Sequence, residues 1–243
     1  MPTNVWLIIP CYNEAARLDF AKLTALPAGV ICLLVNDGSR DGTADLIRRH
    51  ASDGLRLLDL PRNVGKGEAI RQGFLHLRER QWLDGAEWVG YWDADLATPL
   101  TELAHFFAYA ALSETTADGI LGSRVRKLGS TIVRSYARHV LGRVFTTLAA
   151  ALLQLQCYDS QCGAKLFRTR VAEDAFGEPF VSRWIFDVEI LARLRGRRLI
   201  ECPLRQWVDV RGSKLSVLKI AWPTLMDLVR IRLRYGRASS ARL

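Results

Sequence analysis

Short apolar runs that each stop at a polar cluster constrain this 243-residue chain more than any other feature. Val5 to Ile9 stops at Pro10, Val30 to Val35 at Asn36-Asp37-Gly38, and Trp88 to Trp92 at Asp93. Leu55 to Leu60 is a weaker run of the same kind. Runs of this length are too short for typical helices and fit strands buried on both faces. Between them lie helical segments, Glu14 to Leu26, Gly42 to Ser52 and Gly67 to Leu77. The alternation predicts an α/β fold, a mostly parallel sheet flanked by helices. Ligands of such sheets bind beyond the carboxyl ends of the strands. The polar clusters Cys11 to Glu14, Asn36 to Thr43 and Asp93 to Pro99 fall at those ends.

The second half is less regular. Asp118 to Arg124 reads as a strand, Ile132 to Gln156 as a long helix, Phe186 to Arg195 as a helix and Leu199 to Leu204 as a strand. Pro223 reads as the start or a kink of a last helix running to about Tyr235. With no repeat or low-complexity linker, the chain reads as one domain over residues 1–212. Residues 213–243 form an amphipathic, membrane-facing segment of the same fold unit.

A formal charge of +9, from 34 Lys and Arg against 25 Asp and Glu, favours anionic partners. Nucleic acid is not among those expected, because no recognised binding motif accompanies the charge. The five cysteines are odd in number and lack C-x-x-C spacing, and only 4 His accompany them. Neither a disulfide frame nor a zinc site is expected, and a reducing, cytoplasmic compartment is the simplest reading. No signal-peptide core and no apolar stretch of the ~20 residues that a spanning helix needs are present. If the chain meets a membrane, it lies on the inner face rather than crossing.

Asp93-Ala94-Asp95 is the sharpest chemical signal. Residues i and i+2 of an extended segment share a side, which would put two carboxylates together. Mg²⁺ or Mn²⁺ suits such a pair, because Mg²⁺ takes one or two carboxylates and completes its shell with water and substrate phosphates. The plainer alternative is a strand-end turn capping a helix near Leu100. Tyr12 offers a face for a base, and Glu14 and Asp37 offer acceptors for ribose hydroxyls or a base N–H. An Asp-Gly turn with Thr43 capping a helix is the plainer reading of the Asp37 cluster. Arg134 and Arg138 are four apart and share a helix face, which is either an ordinary solvated basic face or one suited to bidentate phosphate binding. The nearly all-apolar Val144 to Leu155 follows them, a pairing that suits a lipid phosphate. Leu218, Trp222, Leu225, Val229 and Leu233 form a helical stripe with Lys219, Arg230 and Arg234 beside it. Such a stripe is either core or an interfacial helix.

These motifs resemble those of the large inverting glycosyltransferase family 2, which has the GT-A (Rossmann-like) fold. Asp159 to Phe167, Arg183 to Glu189, Gly212-Ser213-Lys214-Leu215 and Ile231 to Tyr235 resemble the dolichyl-phosphate β-glucosyltransferases and bacterial polyprenyl-phosphate relatives. The resemblance implies that Pro10, Tyr12, Glu14 and Asp37 hold the nucleoside and that Lys66 lies near the nucleotide. It also implies that Asp93 and Asp95 bracket the diphosphate through a metal. Arg124, Arg134 and Arg138 would recognise phosphate, Lys214 would close over the donor diphosphate, and Asp159 and Asp187 would lie near the reacting centre. Their roles stay open among acceptor orientation, stabilisation of an oxocarbenium and basicity. The mannosyl-phosphate branch often has Gln where this chain has Ala97, which disfavours GDP-mannose.

The expected reaction is UDP-sugar, with glucose as the sugar, plus polyprenyl or dolichyl phosphate giving the lipid-phosphate sugar and UDP. A soluble hydroxyl acceptor is an alternative, and an inactive nucleotide-sugar-binding scaffold is another of a different class.

Overall fold

A computed structural model describes residues 4–112, 116–133, 136–209 and 217–236, with the backbone alone described at 136–141, 144 and 217–221. The chain runs β1 (Val5–Cys11), α1 (Phe20–Thr24), β2 (Val30–Asp37), α2 (Thr43–Arg49), β3 (Leu55–Leu60), α3 (Lys66–Glu79) and β4 (Trp88–Trp92). It continues through α4 (Glu102–Ala111), β5 (Gly119–Ser123), β6 (Thr131–Val133), α5 (Tyr136–Leu153), β7 (Ala164–Arg168) and α6 (Thr169–Phe176). The last described elements are α7 (Phe186–Arg193), β8 (Leu199–Pro203), β9 (Gln206–Val208) and α8 (Val217–Tyr235).

The expected α/β sheet is present. Seven strands lie in the order β3-β2-β1-β4-β7-β5-β8. Neighbours pair in parallel except β7, which runs antiparallel between β4 and β5. This strand was not foreseen, because the fully buried Lys165 interrupts its apolar run. β7 closes on β4 so tightly that a Cβ at Gly90 would lie 2.0 Å from the Lys165 carbonyl oxygen. Alternation along β1 sends Val5, Leu7 and Ile9 into one core layer, with Leu34 and Phe106. Trp6 and Ile8 enter the other, with Ile70, Phe74 and Phe176.

Several boundaries differ from expectation. The first helix begins at Phe20 rather than Glu14, because Arg17 N and Leu18 N turn back onto Glu14 O and Asp19 caps Lys22 N. The long helix begins at Tyr136, because Thr131–Val133 instead pairs in parallel with Gln206–Val208 as a small second sheet. It stops at Leu153, where Gln154 adopts a left-handed φ of 53°. Pro223 lies inside α8 rather than at its start. α8 packs with α5 and α7 through Leu153, Val188, Ala192, Leu228 and Ile231. The boundary placed at residue 212 lies outside the described residues.

Candidate active site

β1, β2, β4 and β5 all end at one edge of the sheet, and the antiparallel β7 begins there. Their loops converge, and the N-termini of α3 and α7 supply the remaining side chains. The loops after β1 and β2 are sewn together: Asn13 N donates to Ser39 Oγ at 2.9 Å, Arg40 N to Asn13 Oδ1 at 2.9 Å, and Ala15 N to Asp41 Oδ2 at 3.1 Å. Thr43 is not the helix cap expected of it. Its hydroxyl accepts from Glu14 N at 2.9 Å and donates to Asp41, while Gly42 precedes the helix without a side-chain cap. Tyr12 is exposed and, with Gly38, Arg40, Arg62 and Asn63, lines a cavity of about 490 Å³. Pro10, the next-to-last residue of β1, is half-buried. Burial pushes the Glu14 carboxyl above its ordinary value against the pull of Arg17, its ion-pair partner.

Asp37 is buried and accepts from Val64 N at 2.6 Å, Gly65 N at 2.9 Å and Asn63 Nδ2 at 2.9 Å. Three of roughly four carboxylate acceptor positions are thereby committed to the loop that leads into Lys66. Lys66 opens α3 and reaches Asp93 Oδ1 at 2.6 Å. Desolvation works against its charge, but Asp93, Asp187 and Asp95 outweigh it and hold Lys66 above its ordinary value.

The two aspartates meet through a turn rather than along an extended strand. Leu96 N donates to Asp93 O at 3.1 Å, Leu96 takes a left-handed φ of 49°, and Asp95 Oδ1 accepts from Ala97 N at 3.0 Å. Burial and then the Asp93 charge push the Asp95 carboxyl above its ordinary value. Asp93 rests on Gly163, where a Cβ would come within 2.0 Å of Asp93 Oδ2. Gly163→Ala is therefore expected to displace Asp93 and cut turnover about 10²-fold, the scale set for misplaced reacting groups. Near-wild-type turnover in steady-state assays would contradict that packing.

Asp159 and Arg124 form a buried bidentate pair, with Nε–Oδ2 and Nη2–Oδ1 both 2.7 Å, and Arg124 N adds a third bond at 3.0 Å. Burial alone would raise Asp159, but Arg124 more than cancels it and holds the carboxyl below its ordinary value. Glu201 fixes this loop by accepting from Tyr158 N at 2.7 Å and Asp159 N at 2.8 Å. A small cleft beside the pair is lined by Arg124, Arg143, Thr146 and Gln161, and Arg143 stacks on Tyr158 with 3.8 Å from its guanidinium carbon to the ring. Asp187, in the first turn of α7, takes the ammonium of Lys165 at 2.5 Å and the hydroxyl of Tyr91 on the same oxygen, Oδ1. Lys165 also donates to Cys162 O at 2.6 Å. Burial pushes the Cys162 thiol up to about 11, so it is no nucleophile at neutral pH.

Asp93, Asp95, Lys66 and Asp187 thus share one electrostatic neighbourhood, and Arg124 feels Asp93 as well. Arg138 lies in the first turn of α5, its side chain not described, and Arg134 and Lys214 lie outside the described residues. Lys165, Tyr91, Glu201 and Arg143 were not assigned from the sequence. A lysine inside the apolar Ala164–Phe167 run was the one available signal. No group of three or more His, Cys, Asp or Glu converges on a cation site among the described residues. Two carboxylates whose mutual repulsion raises Asp95 nevertheless fit a hard cation that takes its other oxygens from water and phosphate.

The family described as Glycosyl transferase family 2 matches residues 6–176. A dolichyl-phosphate beta-glucosyltransferase of Dictyostelium discoideum is 33% identical over 254 residues, covering 96% of this chain and 75% of that protein. The crystal structure of mannosyl-3-phosphoglycerate synthase from Rubrobacter xylanophilus superposes with a TM-score of 0.71 at 16% identity, covering 99% of this chain and 77% of the other. Glucosyl-3-phosphoglycerate synthase from Mycobacterium tuberculosis, solved with Mn²⁺, UDP and glucosyl-3-phosphoglycerate, gives 0.66 at 16% identity, covering 98% and 82%. The sheet and its flanking helices are those of the GT-A fold.

Proposed function

Since the chain belongs to glycosyl transferase family 2 and is a glycosyltransferase, we propose that it moves glucose from UDP-glucose to a dolichyl or polyprenyl monophosphate, with inversion, at the cytoplasmic face of a membrane. What supports this reading is that Arg124, which lines a small cleft with Arg143, feels the charge of Asp93 at the same edge of the sheet. The cleft suits an anionic acceptor, and Asp93 with Asp95 a metal-bridged diphosphate. The Dictyostelium relative supports the glucose and the lipid phosphate, and the Mn²⁺ and UDP of the Mycobacterium tuberculosis enzyme accompany the same fold.

In this reading Tyr12 receives the nucleoside in the cavity beyond β1 and β2, and Pro10 and Glu14 hold it from the end of β1 and the loop that follows. Asp37 holds the loop that presents Lys66 and keeps one acceptor position for the nucleoside. Asp93 and Asp95 would hold Mg²⁺ or Mn²⁺, which when bound neutralises charge on the leaving diphosphate. Lys66, and Lys214 from beyond the described residues, add positive charge there. A monophosphate ester has a second pKa near ~6 and is largely dianionic at neutral pH. It needs positioning rather than a base, and Arg124, Arg143, Arg138 of α5 and Arg134 from outside the described residues provide it. Asp159 is a positioning residue in this scheme, because its carboxylate is spent on Arg124. Asp187, braced by Lys165 and Tyr91, keeps its second oxygen for the donor sugar.

The experiment is a donor panel. With Mn²⁺ and a short polyprenyl phosphate, UDP-glucose should outpace GDP-mannose by at least about tenfold in kcat/KM. Preference for GDP-mannose would overturn the donor assignment.

Membrane contact rests on α8. Leu228 and Ile231 turn inward, 2% and 0% exposed, whereas Trp222, Leu225, Met226, Val229 and Leu233 face outward, with Trp222 69% and Leu233 72% exposed. Trp222, Leu225, Val229 and Leu233 of the stripe noted in the sequence are therefore on the outer face and not in the core. Arg230 and Arg234 are exposed on the same helix, and Leu148 and Leu152 add apolar surface from α5. No helix among the described residues is long and apolar enough to cross a membrane. A basic amphipathic helix of this kind suits an anionic lipid surface. The double change Leu225→Glu with Val229→Glu is expected to weaken flotation with anionic vesicles by about tenfold or more, at unchanged melting temperature. Undiminished flotation would remove α8 from the contact.

A further inference from the structure

Asp93 already faces a cation supplied by its own chain. The Lys66 ammonium lies 2.6 Å from Asp93 Oδ1. That oxygen is buried and takes no hydrogen bond from any other group. Asp93 Oδ2 is walled by Gly163, where even a methyl group would collide. An ammonium and a divalent ion on one carboxylate oxygen would repel at a few ångströms, where like charges interact strongly. The Lys66 side chain is 41% exposed, so it has room to move away. It stands at the first position of α3, where helix N-termini favour anions.

We infer that Lys66 is a resident counter-ion that makes entry of the metal at Asp93 depend on the nucleotide. A metal ion arriving alone on Asp93 and Asp95 must displace the ammonium and leave it only Asp187, which Lys165 and Tyr91 already engage. A nucleoside diphosphate arriving with the metal gives the displaced ammonium a new anion at the same helix end. Metal and nucleotide then raise one another's affinity by a common factor, as linkage requires. This inference rests on the proposed metal role of Asp93 and Asp95 and adds an order to it.

The test follows free Mn²⁺ by its electron paramagnetic resonance signal during titration of the intact protein, with and without saturating UDP. Wild type, Lys66→Met and Lys66→Arg are compared, each checked for an unchanged melting temperature. Wild type should bind Mn²⁺ at least about tenfold tighter with UDP than without. Lys66→Met should bind Mn²⁺ alone about two- to fivefold tighter than wild type, the scale of losing one partly exposed ion pair, and its gain from UDP should shrink. Lys66→Arg, which keeps the cation, should follow wild type. Equal affinity of wild type and Lys66→Met for Mn²⁺ alone would overturn the inference while leaving the metal site standing. Absence of Mn²⁺ binding by all three proteins with UDP present would overturn the metal site and this inference together.

Discussion

Asp95→Asn is expected to lower turnover of UDP-glucose on the order of 10³-fold while leaving the fold intact. The size follows from the several kcal/mol of charge stabilisation that a bound metal gives a leaving diphosphate. The stability half of the prediction comes from the sign of the Asp95 shift. Burial and Asp93 raise its proton affinity in the folded state. Its contribution is therefore favourable below the ordinary aspartate range and lost as pH rises through the folded value. At neutral pH the ionised group is a burden on the fold, and the neutral amide removes it. The melting temperature of Asp95→Asn should equal or slightly exceed that of wild type at pH 7. A variant that loses activity by unfolding, seen as a lowered melting temperature, would point to a structural role for the turn.

Asp159→Asn should behave in the opposite way. Asp159 and Arg124 form a buried bidentate pair, with side chains 7% and 14% exposed. Removing one charge of such a pair strands the other and costs about 3–5 kcal/mol. For a chain of this size that is a fall of roughly 10 °C in melting temperature. Arg124 depresses the Asp159 pKa, so the stabilisation is present above the ordinary aspartate value and disappears as pH falls through the lower, folded value. The gap between wild type and Asp159→Asn should be full at pH 7 and should close below about pH 4, measured by melting temperature against pH. A gap independent of pH would show that the pair is not what stabilises the loop. Turnover at neutral pH should fall as well, because Arg124 loses its orientation.

The contrast between these two aspartates shows how far the sequence can be read. Lys66 and Arg124 came from the family resemblance alone, whereas Asp93 and Asp95 stood out because an apolar run stops at a polar cluster. The strands β1 to β4 were legible for the same reason. What the motifs could not express is which partners each group has. The Arg124 bond to Asp159 spans 35 positions, and that of Tyr91 to Asp187 spans 96, distances that only the sheet order closes. β7 was missed because a buried lysine broke an otherwise apolar run, and that lysine proved to hold Asp187. The stripe on α8 illustrates the converse. Its periodicity was visible, but Leu228 and Ile231 on the same helix give a second apolar face, and only packing tells the inner from the outer.

The central claim is transfer to a lipid phosphate, and one measurement meets it directly. Purified protein is incubated with UDP-glucose, Mn²⁺ and an equimolar mixture of a short polyprenyl phosphate and the corresponding polyprenol, and the product masses are read. The account predicts one new species, the polyprenyl phosphate plus one hexose, with the alcohol untouched. Hexose on the alcohol, with none on the phosphate, would contradict it.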